Sequence, residues 1–311
     1  TSVRLTGLRA ARVPRGLTRR GLISDTCGLV VGATNVTLRG CASQLGGIMV
    51  DFSTVRYAAK PENLRRNREL EATGAQTWAQ CFEVIYETDP DIIAVVLPKP
   101  LTPHAKPYVR FNITQVEMAG GLRFGAGWFG VHAMHGSQEG EYPLFMPMTT
   151  EQATVGGREV FGEPKKIARV EINRDGNNVS GYIGRMGHDL VEVNGTITGT
   201  RDPIERDSCD FYFKVSPSCE VKNTLDSDPL IVHSYKHHIE RKVELVDGTV
   251  TLKDSPLDFL ADIPVRRIID MTWSERATVV NAKIVGTASR EDIEPFLHQR
   301  YDDMSVLGKK D

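Results

Sequence analysis

Residues 156–168 read Gly-Gly-Arg-Glu-Val-Phe-Gly-Glu-Pro-Lys-Lys-Ile-Ala and run on as Arg169-Val170-Glu171-Ile172. Glycine at position 162 suits the end of a helix, and Pro164 fixes the backbone entering the next segment. The alternation beyond it is that of a strand, whose side chains point to opposite faces in turn. Lys165 then shares a face with Ile167, Arg169 and Glu171, and Lys166 shares the other with Ala168 and Val170. If one face is core, one lysine points inward. A charged lysine is expensive to bury, whereas a free amine is the nucleophile that forms a Schiff base with a ketone.

Working outward, β-branched and aromatic runs between turn residues predict strands over 81–87, 92–97, 108–118, 128–135 and 142–148. Further strands are predicted over 166–173, 178–184, 189–198, 210–216, 230–246, 249–253 and 266–285. Asp175-Gly176 and Asp247-Gly248 read as hairpin turns. Residues 60–75 are charged and compatible with a helix. Thr149-x-x-Gln152 resembles a capping box before a helix over 151–160, and Ser289-x-x-Asp292 starts another that reaches about residue 302. Many strands, few helices and no βαβ rhythm predict a mainly β (α+β) domain, an antiparallel barrel or sandwich with a few flanking helices.

The chain has 311 residues, 40% hydrophobic and 25% charged, with a formal net charge of −2. This balance gives no case for binding nucleic acid or an acidic membrane, and no apolar run is long enough to span a bilayer. The five cysteines (Cys27, Cys41, Cys81, Cys209, Cys219) form no CxxC pair, which suits a reducing, cytoplasmic setting. No nucleophile elbow, dinucleotide fingerprint or metalloprotease signature is present, and His237-His238 reads as exposed, without the spacing of a metal site. Residues 1–48 differ from the rest: seven arginines, no lysine, no methionine and one acid, Asp25. A targeting peptide, a basic tail, or sequence upstream of a start at Met49 would each account for them. The break at Met49 favours the last, leaving 49–311 as a single domain.

Gly157-Arg158-Glu159-x-x-Gly162-x-Pro164-Lys165-Lys166 resembles the active-site signature of the acetoacetate decarboxylase family. Phe82-Glu83-Val84-Ile85-Tyr86-Glu87-Thr88-Asp89, Leu97-Pro98-Lys99-Pro100-Leu101, Val109-Arg110-Phe111, Pro256-Leu257 and Ile263-Pro264-Val265-Arg266-Arg267-Ile268 resemble other segments of that family. The likeness covers roughly residues 76–285. It implies a cone-like β-barrel, an enclosed and largely apolar cavity, oligomers and no cofactor. It also implies that Lys165 is the Schiff-base lysine and that Lys166 is the neighbour assisting it.

Two family features are missing. The pocket glutamate would fall in Phe124-Gly125-Ala126-Gly127-Trp128-Phe129-Gly130, and an early-strand arginine would fall in Trp78-Ala79-Gln80. His132 is a candidate to replace the lost acid–base group, with His135 on the opposite face of the same strand. Trp128, Phe129, Phe145, Met146 and Met148 are candidates to line an apolar pocket. Arg158 and Glu159 match the signature, as substrate contacts or as an ion pair at a helix end. The expected catalytic set is therefore Lys165, Lys166 and His132, with Arg158, Glu159, Phe129 and Met146 binding substrate and no metal. The expected activity is decarboxylation of a β-keto acid other than acetoacetate, by a homo-oligomer. The alternatives are an aldolase or dehydratase acting on pyruvate or a related keto acid, and a barrel that binds a small molecule without turnover.

Overall fold

A computed structural model describes residues 55–72, 77–118 and 121–302. The Arg-rich segment 1–48 and the proposed start at Met49 lie outside them. Contacts divide the chain into two units, 1–59 and 60–311, and every described helix and strand belongs to the second. After helix α1 (Pro61–Ala72) come β1 (Trp78–Glu87), α2 (Pro90–Val96), β2 (Thr102–Pro103), β3 (Tyr108–Glu117), β4 (Arg123–His135) and β5 (Gln138–Met148). Helix α3 (Glu151–Phe161) leads into β6 (Lys165–Ile167), β7 (Arg169–Asp175), β8 (Asn178–Arg185), β9 (His188–Arg201) and β10 (Glu205–Lys214). Two long strands, β11 (Leu230–Leu252) and β12 (Arg267–Thr287), precede the short α4 (Arg290–Ile293) and a 3-10 turn over Glu294–Gln299.

The strands run in the order β10-β5-β4-β3-β1-β12-β11, and β11 pairs back onto β10. Seven strands thus close a barrel, and closure leaves no sheet edge. β11 is longer than the barrel needs. Past a register shift at Glu240/Lys242 it leaves β10 and pairs instead with β9, starting the β9-β8-β7 meander. The meander lies over the outside of the barrel. Val170, Val179, Ile183 and Val191 join Phe82, Tyr86, Phe111, Ile113 and Phe129 in one large apolar core. Barrel strands are therefore buried on both faces, so β3 reads as a continuous buried run rather than an alternating one.

Three sequence expectations are corrected. Of residues 92–97, the first five lie in α2 and Leu97 caps it, so they form no strand. A short apolar run fits either state, and Pro90 at the first helical turn with Asp91 beside it tips the balance. Asp247-Gly248 is not a turn but lies within β11, where Gly248 faces Gly195 of β9. A Cβ on Gly248 would sit 2.2 Å from the carbonyl oxygen of Asn194, so glycine permits a close strand approach there. The last helix ends early, at Ile293, because Pro295 interrupts it. Asp175-Gly176 does make the β7–β8 hairpin, with Gly176 at φ +60°.

Candidate active site

The site starts from the cap of α3. The hydroxyl of Thr150, one residue later than the predicted cap, accepts from the Ala153 amide at the N-terminus. Gly162 ends the helix in the left-handed region at φ 78°. Pro164 then directs the chain into β6, which pairs in parallel with β5, Met146 opposite Lys165 and Pro147 opposite Lys166. Residues opposite one another in a ladder share a face. Met146 packs inside the barrel with Trp128, Met148, Tyr212 and Val232, where Ala153 and Phe161 of α3 close one end. Lys165 accordingly belongs to the barrel face, and Lys166 to the outer face.

Lys165 Nζ lies 2.6 Å from Glu163 Oε2; Glu163 is buried and Lys165 is largely so. The contact is close but lies off the line of a hydrogen bond, and among the described residues no donor is aligned on that oxygen. Gly157 makes the space for it. A Cβ at position 157 would lie 2.0 Å from Glu163 Oε2 and 2.6 Å from Lys165 Nζ. The backbone around the amine is held by guanidinium groups. Arg158 donates to the carbonyls of Lys165 (3.2 Å) and Arg300 (2.6 Å), and Arg300 donates to those of Gly162 and Phe213. Burial brings Arg300 down to about 10, with Arg158 nearby adding to the effect.

Lys166 points away. Its Nζ is 2.9 Å from both Asp258 Oδ1 and Asp302 Oδ1, and the same two carboxylates bind Arg185. Two cations and two anions close a neutral cluster that fixes β6 to the segments carrying Asp258 and Asp302. Lys166 also borders an apolar cavity of about 250 Å³ under Phe259 and His298.

Further into the barrel the lining turns polar. Asp210 is fully buried and accepts from Trp128 Nε1 (3.0 Å), the Tyr212 hydroxyl (2.8 Å) and Lys236 Nζ. Burial, reinforced by Asp210 and Glu163, raises the Tyr212 hydroxyl well above its usual range. The Arg110 guanidinium lies over the Trp128 ring at 3.9 Å and binds Glu141 through both carboxylate oxygens. Glu83 bridges Arg110, Arg276 and Arg206. Burial alone would raise both carboxyls. Arg276, Arg110 and Arg206 outweigh it at Glu83, as do Arg110 and His132 at Glu141, and hold both well below the usual carboxylate range.

The expected site residues separate on this frame. Lys165 and Met146 come together, and Arg158 supports the Lys165 backbone through its carbonyl. Glu159 is exposed, and Arg158 bonds to carbonyls instead of pairing with it. Phe129 faces the outer core, stacked on Phe111, and Phe145 lies there too, because each alternates with an inward neighbour. His132 is far from the lysine. It sits opposite Glu141 on β5, five positions from Met146, or roughly 17 Å along the strand at about 3.4 Å per residue. There its Nε2 is 3.2 Å from Glu141 Oε1, in a cavity of about 400 Å³ at the other end of the barrel. His238 is buried rather than exposed, bonded to Ser208 and Thr278, since alternation along β11 sends only His237 outward. Sequence reasoning passed over Glu163 and Asp210. Glu163 carries a local signal, a charged residue between a helix-ending glycine and a proline, two positions before the lysine.

The structure is thus a closed barrel in which a lysine amine and a carboxylate meet at one end. Residues 61–287 match the family described as acetoacetate decarboxylase (ADC), and the chain belongs to that family. Acetoacetate decarboxylase 1 of Bradyrhizobium diazoefficiens is 26% identical over 211 residues, covering 60% of this chain and 76% of the relative. The acetoacetate decarboxylase of Burkholderia multivorans is 24% identical over 205 residues, covering 60% and 77%. Among solved structures, the acetoacetate decarboxylase of Legionella pneumophila shares the fold at TM-score 0.60 and 17% identity, covering 69% of this chain and 88% of that one. The enduracididine biosynthesis enzyme MppR, in complex with pyruvate, matches at TM-score 0.59 and 15% identity, covering 67% and 89%. Family and fold together make the chain an acetoacetate decarboxylase-like enzyme. Among the described residues no helix is long and apolar enough to cross a membrane.

Proposed function

We propose that the chain decarboxylates a β-keto acid other than acetoacetate through an imine on Lys165. The observation that carries this reading is the placement of Lys165 on the barrel face of β6, beside Met146 and next to a buried carboxylate. The amine adds to the ketone, and loss of water leaves an iminium. The bond to the carboxylate then breaks and carbon dioxide departs; the released electron pair forms a carbon–carbon double bond while the C=N π pair moves onto nitrogen. The resulting enamine takes up one proton at carbon, and hydrolysis frees the ketone and the lysine. Arg158 keeps Lys165 in place through its carbonyl, and Met146, Trp128 and Met148 offer apolar contact to the substrate. A substrate other than acetoacetate is inferred from the substitutions at the family's pocket glutamate and early arginine. The two arginines buried within the barrel strands among the described residues, Arg110 and Arg276, are engaged with Glu83 and Glu141.

A second reading, an aldolase or dehydratase on pyruvate or a related keto acid, draws on the fold shared with MppR, whose structure contains pyruvate. The same enamine would attack an aldehyde instead of taking a proton. Borohydride trapping with a panel of β-keto acids and pyruvate, read by peptide mass spectrometry, tests both. A reduced adduct on Lys165, absent in Lys165→Ala, is expected, with carbon dioxide released from a β-keto acid. An adduct without carbon dioxide release would favour the second reading. No adduct with any compound would leave a barrel that binds without turnover.

A further inference from the structure

We propose that Glu163 is the proton-transferring catalytic residue of the imine-forming steps, supplying from the residue before Pro164 the carboxylate missing from the barrel wall. This rests on the Lys165 reading and assigns the acid–base group within it. Three observations support it. Glu163 Oε2 is 2.6 Å from the reacting nitrogen. That oxygen is buried with no donor aligned on it among the described residues, although a buried carboxylate oxygen is normally satisfied. The third is the glycine at 157, where any side chain would enter the space that holds both groups. Of the other carboxylates buried inside the barrel, Glu83 and Glu141 are held by arginines. Asp210 is bound through Oδ2 by Trp128, Tyr212 and Lys236; its Oδ1 is also without a partner among the described residues, but Asp210 lies opposite Glu141, five positions along β5 from the residue that faces Lys165.

The proton balance closes on one carboxylate. Glu163 takes a proton from the Lys165 ammonium and leaves the free amine. The amine nitrogen bonds to the ketone carbon, and Glu163 returns the proton to the oxygen, giving a carbinolamine with a positively charged nitrogen. It then removes a proton from that nitrogen and gives it to the hydroxyl as the carbon–oxygen bond breaks. Water leaves, the iminium forms, and Glu163 is again a carboxylate. Ammonium and ketone have become iminium and water, with no other reactant.

A carboxylate beside an amine could instead act only as a counter-ion that keeps the ammonium charged. The two roles predict opposite results. The probe is whichever keto compound of the panel labels wild-type Lys165 fastest, and the readout is the rate of borohydride-trapped adduct on Lys165. If Glu163 transfers protons, Glu163→Gln slows labelling by about 10²-fold or more. Formate or acetate then restores labelling in Glu163→Ala but leaves Glu163→Gln unchanged, because only the smaller side chain leaves room for an added acid. Labelling of Glu163→Gln at the wild-type rate or faster overturns the proposal and makes Glu163 a counter-ion, with the Lys165 reading intact. Slow labelling in both variants, with no rescue and with circular dichroism showing lost structure, also overturns it and gives Glu163 a structural role. No label on wild-type Lys165 removes the imine reading and this assignment together.

Discussion

The smallest side chain at the site carries the sharpest constraint. Gly157 lies within α3, where glycine is about 1 kcal/mol less favourable than alanine. Its φ is not positive, so conformational freedom does not explain it. Space does: a methyl group there would overlap Glu163 Oε2 at 2.0 Å and the end of Lys165 at 2.6 Å. Gly157→Ala should therefore strengthen the helix locally while forcing the amine and carboxylate apart. Borohydride labelling of Lys165 should fall at least tenfold while circular dichroism and the melting transition stay near wild type. Unchanged labelling would show that the pair yields without consequence. At this scale the sequence was only partly informative. Lys165 stands out because a helix end, a proline and a paired lysine coincide. Glu163 carries only the weak signal of its place between Gly162 and Pro164, since an acid next to a proline ordinarily faces water, and only the packing of α3 on β6 buries it.

At the scale of elements, strand alternation explains both what the sequence showed and what it hid. β6 is short, yet its alternation sends adjacent lysines to opposite faces, as the pattern after Pro164 foretold. The partners on the outer face could not be foreseen. Asp258 and Asp302 come from segments 92 and 136 residues away. With Lys166 held by two carboxylates, its charge is answered locally. Lys166→Gln should cost about 3 kcal/mol, the lower end for breaking a buried ion pair, because Arg185 remains to serve both acids. The pH profile of Lys165 labelling should not move in the folded protein. A displaced profile would return to Lys166 the helper role its sequence position implies. α2 and β11 were misread for a related reason: short apolar runs and Asp-Gly pairs are settled by what packs on them. Ile93 points into the core, and Gly248 meets a second glycine across the ladder.

At the scale of the whole barrel, inward-facing polar residues on β1, β3, β5 and β10–β12 form a charged interior that no single segment announces. Glu83, Arg110, Glu141, Arg206, His238 and Arg276 each look unremarkable on alternating strands, and only ring closure brings them together. That arrangement makes stability depend on pH. Burial first, then Arg276, Arg206, Arg110 and Lys236, lower His238 to about 2, so it stays neutral in the fold but charges at about 6.5 once unfolded. Between those values the unfolded chain binds the extra proton, so this stabilisation is fully present above about pH 6.5 and is lost as pH falls. Glu83 and Glu141 act in the same direction lower down, because their folded values lie below the unfolded value near 4.3. Burial also depresses His233 and His298, while Asp207 raises the exposed His237, so the total slope is a sum over several groups. The difference between wild type and His238→Gln isolates one of them, since glutamine can still bond Ser208 and Thr278. In urea unfolding from pH 7 to 5, wild type should lose up to about 1.4 kcal/mol per unit more than the variant once below pH 6. Parallel curves would mean that His238 takes up its proton inside the folded barrel, and that the cations around it do not exclude a further charge.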